Sequence, residues 1–573
     1  MKGLTNYVYT RFFKMSPGFK VKYGVQTRMS QYTEDNNDYS FLFNRKTKAD
    51  PVVKRWLKAF RLIFFFIKQK SKLLGRVYSL QIKLENWLKR RLKSVSIAQP
   101  DVGLIDAVEK AFPDLAGKLP RKLKISYKDI MSWDNLTMIT YGLPKRFKVS
   151  DPEAFIKAMK GTYNALGFSK FKMKQVDLSM ISRSEAIEKL PTNTSSCYPI
   201  FKKKSHVESI KNAFHFVDEL FNTQGTVNKY VLFCNYPTVI FHRLAKKLGK
   251  SFGLYNVVTK IRLVFGMSFG IVLFETMMFE KILNFIRNFG YGHSIGYTRE
   301  QISEQVKKIR LSAIRRGMKI FCTDISGMDK NLPGLWIMLF FGLLISVIRP
   351  SVSIVPNVVA LACYHVFTPM LSSRLDLVVS DGGNKSGSKL TTYLNTFCVV
   401  TAIHYTFLRR EGRLPSDDEF AVVGDDSIFL VRDNNVPKVI EDFKELGMTV
   451  SKSKSSVCSP NNEMMFIVYL GFYWDLQYRP NQNALWWIAR CCYPERFFFV
   501  EKGESVRLLR LASVLYQIVG GHSIFCKIMK CLGFNLNDLF SKDPRIYYLD
   551  KQGRTHLGVI PLSELRRRGW ACY

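Results

Sequence analysis

Among eleven cysteines no two form a CxxC pair, and Cys491 and Cys492 are direct neighbours. An odd count without that spacing fits neither a disulfide framework nor a zinc site. It fits a reducing compartment in which most thiols act as small core side chains. Long apolar runs are also missing. The two longest, Leu62–Ile67 and Leu335–Ile348, fall short of the roughly 20 residues that span a bilayer. The opening MKGLTNYVYTRFFKMS lacks the continuous apolar core of a secretory signal. These absences predict no transmembrane segment and a soluble or peripheral protein. No internal repeat and no long low-complexity tract occurs. Acidic residues are scarce: 46 Asp and Glu face 86 Lys and Arg, a formal charge of +40 with a pI near 9.8.

That basic excess points to an extended polyanion, nucleic acid first and an anionic membrane surface second. An apolar content of 47% with 14% aromatics excludes a mostly disordered chain. At 573 residues there is room for several subdomains and a large core. Residues 51–100 carry thirteen Lys and Arg against one acid, Glu85. Leu73, Val77, Leu80, Leu84, Leu88 and Leu92 recur there at helical spacing, which predicts an amphipathic helix with a basic outer face. A solvated helix docked on a core, a nucleic-acid channel wall and a membrane-surface helix all fit it. Residues 30–50 are polar and turn-rich and predict a surface loop.

From residue 319 the pattern sharpens. KIFCTD reads as a short strand ending in Asp324. PGLWIMLFFGLLISVI reads as a buried helix with Pro333 near its start. SDGGNKSGS reads as a loop, and KLTTYLNTFCVVTAIHYTFL as the helix leaving it. VVGDDSIFL reads as strand, tight turn, strand, and PKVIEDFKELG as a helix stopped at Gly447. Helices under an antiparallel sheet make an α+β unit.

Asp425 and Asp426 place two adjacent carboxylates on the hairpin tip. Such a tip is a natural divalent-metal site and also a common surface turn. Chance alone supplies Gly-Asp-Asp in roughly one chain in ten of this length, so its context must decide. Asp324 ends its strand and Asp329 follows five residues later, past a turn. If Asp324 faces the hairpin across neighbouring strands, three carboxylates gather, and oxygen-only ligation favours Mg²⁺ or Mn²⁺. Two such ions form a phosphoryl-transfer clamp. In the loop and helix between, Ser386-Gly387 precede Thr391 and Asn395. Thr391 and Asn395 lie four apart on one helix face, where they can hydrogen-bond a ribose.

Read in order, these segments resemble motifs A, B and C of viral RNA-dependent RNA polymerases. DxxxxD is Asp324 and Asp329; SGxxxTxxxN is Ser386, Gly387, Thr391 and Asn395; the third is Gly424-Asp425-Asp426. The separations, 62 residues from Asp324 to Ser386 and 39 from Ser386 to Asp425, are ordinary for that family. TKIRLVFG resembles motif F, which implies that Lys260 and Arg262 contact the incoming triphosphate. LGMTVSKSKSS resembles motif D, whose lysine is thought to protonate the leaving pyrophosphate; counted from Gly447, Lys454 aligns better than Lys452. VYLGFYW resembles motif E, a hairpin gripping the primer strand. The flavour of DISGMDKNLPGLW, KIRLVFGMS and GDDS is most like partitivirus and picobirnavirus polymerases, of double-stranded RNA viruses. Met328 departs from them, since an aromatic usually stands there.

The resemblance implies a right-hand polymerase with fingers, palm and thumb. An N-terminal extension over 1–145 bridges fingers and thumb. Fingers take 146–320 and the insertion 346–380, the palm 321–345 and 381–475, and the thumb 476–573. Asp324, Asp425 and Asp426 then hold metal, while Asp329 and Asn395 select the ribose. The partners are RNA template and product, NTPs and a viral capsid protein; the location is the virion interior or host cytoplasm. A reverse transcriptase is the rival polymerase, although it expects a bulky residue where Asp329 stands. A non-catalytic basic RNA-packaging protein is the rival from another class.

Overall fold

The structure, a computed structural model, describes residues 35–44, 48–77, 100–122, 145–173, 179–251, 254–348, 354–371, 377–462, 466–478, 480–481, 488, 491–493, 521–533, 546–549 and 555–558. Helix α1 (Pro51–Val77) turns one stripe inward. Val53, Trp56, Leu57, Phe60, Ile63, Phe64 and Ile67 are buried, while Lys54, Arg55, Lys58 and Lys68 face solvent. This three- and four-residue repeat docks a basic helix on the core. The stripe expected from Leu73 to Leu92 lies almost wholly outside the described residues. The segment read as a surface loop is partly buried instead. Tyr39 and Leu42 are core residues around a short 3₁₀ turn, Ser40–Leu42, and the Phe43 ring lies against Phe60 and Phe64. The apolar side chains of YSFLF outweigh the polar residues around them.

Helix α2 (Pro152–Ala165) begins where the Asp151 carboxylate accepts the Ala154 amide, with Pro152 in the first turn. Strands β1 (Thr238–Ser251) and β2 (Leu254–Gly266) form a long antiparallel hairpin. Helix α3 (Phe269–Phe289) follows and is buried on nearly every side. Helix α4 (Arg299–Arg316) opens on a Thr298–Gln301 capping box and closes on left-handed Gly317. It delivers the chain to β3 (Lys319–Asp324), which ends in the short helix α5 (Met328–Asn331).

Helix α6 (Gly334–Val347) is apolar all round because it is covered all round. At Gly342 an added Cβ would lie 2.9 Å from the Phe60 backbone nitrogen, so α1 packs directly on it. The Trp56 indole donates to the Leu339 carbonyl at 2.6 Å, and that of Trp336 to Leu446 at 2.8 Å. Helix α7 (Val355–Val366) and strands β4 (Pro369–Leu371) and β5 (Leu377–Val379) complete the stretch before the glycine-rich loop. Helix α8 (Thr391–Glu411) leaves that loop and stops at left-handed Gly412. Then come β6 (Phe420–Val423), β7 (Asp426–Val431), helix α9 (Val436–Glu445) and β8 (Ser456–Cys458). The hairpin of β9 (Ile467–Tyr469) and β10 (Phe472–Trp474) turns through Leu470 and Gly471, both at positive φ.

Two four-stranded sheets organise the described residues. One runs β6-β7-β3-β8, antiparallel throughout. The other runs β2-β1-β4-β5, so the long hairpin and the stretch between α6 and α8 share a sheet. Helices pack around both, an α+β arrangement.

Candidate active site

In the first sheet Asp324, the last residue of β3, pairs directly with Asp426, the first residue of β7. Opposed residues of an antiparallel pair project to the same face. Gly424 and Asp425 make the turn before Asp426, with Gly424 at φ +64 and its amide donating to the Thr396 hydroxyl on α8 at 2.9 Å. That bond fixes the turn to the helix beside it. Asp324, Asp329 and Asp426 are half-buried, and Asp425 is exposed at its surface.

The carboxylates crowd one another. Burial, then the charges of Asp425 and Asp324, push the Asp426 carboxyl up to about 7. Asp425 is raised by the protein around it, with Asp324 and Asp329 adding to the push. Its open face lets water offset part of this. Lys454 acts against both shifts: its ammonium donates to Asp324 Oδ1 at 2.6 Å. The backbone of Asp324 is held from the same segment, its N–H donating to Ser455 Oγ at 3.2 Å and its carbonyl accepting the Ser451 amide at 2.9 Å. Lys452 points to solvent, so Lys454 is the lysine that reaches the carboxylates.

Among the described residues no three or more His, Cys, Asp or Glu side chains already form a metal cage. The donors nevertheless fit a hard divalent ion. They are oxygen-only, and the Lys454 ammonium on Asp324 relieves part of their mutual repulsion. Mg²⁺ keeps several waters and needs only one or two carboxylates.

The glycine-rich loop lies against α5. At Gly382 and Gly383, φ +65 and +73, an added Cβ would sit 2.3 Å from the Leu332 carbonyl and 2.6 Å from that of Asp329. Only glycine tolerates both the dihedral and the approach. Buried Lys385 holds the loop together, donating to Ser380 Oγ at 2.6 Å, the Gly383 carbonyl at 3.0 Å, and the Gly382 carbonyl. The Thr391 hydroxyl donates to the Lys385 and Ser388 carbonyls at 2.7 and 2.9 Å, so it builds the loop. The Asn384 amide donates to the Thr391 carbonyl at 2.7 Å and to Asn395 Oδ1 at 2.6 Å. The loop thus joins the Asp329 backbone to Asn395.

Its other end meets β2. Ser386 Oγ accepts the Phe265 amide at 3.2 Å, and a Cβ on Gly387 would lie 2.2 Å from the Phe265 carbonyl oxygen. β2 is the edge strand of its sheet. Arg262 is exposed on it, opposite Arg243, and Lys260 pairs with Ala245. The β9–β10 hairpin adjoins β3 through the Val468 amide, which donates to Cys322 Sγ at 3.4 Å.

A family model described as viral RNA-dependent RNA polymerase matches residues 146–529. The chain belongs to that family. Two solved structures share its fold. The RNA-dependent RNA polymerase of a human picobirnavirus is 13% identical with a TM-score of 0.59, covering 96% of this chain and all of its own length. An insertion-loop deletion mutant of that enzyme is also 13% identical, with a TM-score of 0.53 over 94% of this chain and 92% of its own. No curated protein matches the chain.

The protein is therefore an RNA-directed RNA polymerase with the α+β right-hand fold of that family. This leaves the reverse-transcriptase and packaging alternatives without support. As a polymerase it binds RNA and NTPs, in a family that generally uses divalent metal ions. No helix among the described residues is long and apolar enough to cross a membrane. Sequence reading singled out Asp324, Asp329, Asp425, Asp426 and Lys454, which the fold gathers, and Ser386, Gly387, Thr391 and Asn395, which share one loop and helix. It missed Asn384, Lys385, Thr396 and Glu275. For Glu275 a signal existed: FGIVLFETMMFEK places two acids inside an otherwise apolar helix.

Proposed function

We propose that this polymerase joins NTPs to RNA at Asp324, Asp425 and Asp426 by two-metal nucleotidyl transfer. The observation that carries the reading is the direct pairing of Asp324 with Asp426 beside the Asp425 turn, with Lys454 at 2.6 Å. The 3′-hydroxyl of the growing strand gives up its proton to water as its oxygen bonds to the α-phosphate, the α–β bridge breaks, and pyrophosphate leaves. Bound Mg²⁺ or Mn²⁺ would activate that hydroxyl and neutralise the triphosphate. Asp324 and Asp425 are the holding carboxylates, and Asp426 supports them from the same face. Lys454 supplies a proton to the departing pyrophosphate. Arg262 and Lys260 on β2 attract the triphosphate. Asp329 and Asn395 take the ribose hydroxyls, with Ser386 and Gly387 beside the template pair and Thr391 shaping that loop. The virion interior or host cytoplasm is the proposed place of work, beside a capsid protein.

The test is Asp425→Ala in an RNA-synthesis assay with purified protein, labelled NTPs and Mg²⁺ or Mn²⁺. Incorporation should fall at least about a hundred-fold, while RNA affinity stays within about two-fold, because phosphate contacts dominate it. Unchanged incorporation would sink the assignment.

A further inference from the structure

We propose that Glu275, buried in α3 and touching no substrate, is the positioning residue for nucleotide recognition in this polymerase. The proposal rests on the reading that Asn395 senses the ribose. It starts from a charge in an expensive place. Glu275 is fully buried in a helix that is apolar on nearly every side. A carboxylate there is tolerated only when its oxygens are satisfied.

They are satisfied by two other elements. Both oxygens accept from the Ser388 hydroxyl, at 2.9 and 3.0 Å. Oε2 also accepts the Lys389 amide at 2.8 Å, and Oε1 lies 2.7 Å from His365 Nε2 on α7. Five residues on, Glu280 meets the Lys389 ammonium at 3.1 Å. Lys389 is thus held by its backbone at one acid and by its side chain at another. The same loop is fixed at its other end by Ser386 and Gly387 on Phe265. Strand β2 and helix α3, joined by two residues, therefore grip residues 386–389 along their whole length.

Ser388 passes that grip to α8. Its hydroxyl oxygen accepts the Leu390 amide at 3.0 Å, and its carbonyl accepts the Thr391 hydroxyl at 2.9 Å. These bonds hold the turn that leads into the helix bearing Asn395. The Thr391 carbonyl and Asn395 share the Asn384 amide. Moving Ser388 moves the start of α8, and with it the Asn384–Asn395 contact. Arg262 lies on the β2 side of the same unit. One carboxylate thus fixes the sugar-sensing helix relative to the triphosphate strand.

A residue that only stabilised the fold would lower activity through the amount of folded enzyme, leaving KM and substrate preference alone. A positioning residue changes both. Ser388→Ala and Glu275→Gln test this, with Glu275→Ala as the severe case. Steady-state incorporation is measured for each NTP and its 2′-deoxy counterpart on an RNA template. Ser388→Ala and Glu275→Ala are expected to raise KM for NTPs about ten-fold, the size of one charge-assisted hydrogen bond. The NTP-to-dNTP ratio of kcat/KM should fall similarly. Glu275→Gln, which keeps the shape and one acceptor, should lie between them and the parent. Should Glu275→Ala not fold, Ser388→Ala decides alone, since it leaves the carboxylate paired to Lys389 and His365. The proposal is overturned if KM and the ratio stay within about two-fold in Ser388→Ala, or if only kcat falls. Asn395→Ala is the control: if it leaves the ratio unchanged, ribose sensing at Asn395 fails, and the KM of Ser388→Ala still judges Glu275.

Discussion

At the scale of single residues, two buried histidines give the fold a pH response. His404 on α8 is fully buried beside Gly161, with Nδ1 3.2 Å from Thr162 Oγ1 and its ring edge-on to Phe420. Burial pushes it down to about 3. His293 is pushed down by burial to about 4, although its ring bond to the Ile286 carbonyl at 3.0 Å favours the proton. Both are neutral in the fold, whereas an unfolded histidine titrates near 6.5. Above that value their stability contribution is complete. As pH falls below it, the unfolded chain takes up protons that the fold refuses until about 4 and 3. Each should remove about 2 kcal/mol of stability by pH 5. Urea midpoints at pH 7 and pH 5 check this, and His404→Phe should show the smaller drop. Equal drops in parent and variant would refute it. Residue-scale legibility was uneven for a physical reason. Asp324, Asp425, Asp426 and Lys454 act at fixed intervals from turns and strands, which sequence spacing records. Asn384 and Lys385 act through hydrogen bonds inside an irregular loop, and Glu275 through partners 90 to 114 residues away, and neither leaves a periodic mark in sequence.

At the scale of elements, the glycine-rich loop and the β6–β7 turn need glycine for different reasons. Gly387 is crowded: its Cβ would meet the Phe265 carbonyl oxygen at 2.2 Å and the Met267 nitrogen at 3.0 Å. Gly424 has open space but φ +64. Gly387→Ala should cost about 1–3 kcal/mol, because backbone must move. Gly424→Ala should cost about 1 kcal/mol, from the dihedral alone. Thermal melting of the two variants gives the order; a more stable Gly387→Ala would mean that β2 and the loop do not touch as described. Elements bounded by caps were legible. KIFCTD is β3, and the turn in VVGDDSIFL separates β6 from β7. The helix after SDGGNKSGS starts at Thr391. Residues 35–44 were misread because polar neighbours hid an apolar cluster in which Tyr39 meets the Phe147 ring and Phe43 meets Phe60 and Phe64 of α1. The partnership of β1 with β4 joins segments more than a hundred residues apart, and no local pattern announces it.

At the scale of the whole molecule, charge and fold answer to different rules. The fold is shared with a polymerase at 13% identity, so it tolerates wide change in sequence. The charge of +40 concerns binding. Affinity for single-stranded RNA should fall linearly on a log–log salt plot with a slope steeper than about −3, since each neutralised phosphate adds about −0.7. Filter binding between low and moderate salt measures it, and a flat plot would count against a charged RNA channel. The expected thumb over 476–573 falls mostly outside the described residues. Within them, the Thr396 hydroxyl that accepts the Gly424 amide has a consequence for copying accuracy. Thr396 follows Asn395 directly, about 1.5 Å further along the same rod. On the proposed roles, inspection of the sugar and execution of the bond have adjacent addresses. On those roles a sugar that tilts this rod would shift the aspartate turn with it, through the one bond from Thr396 to Gly424.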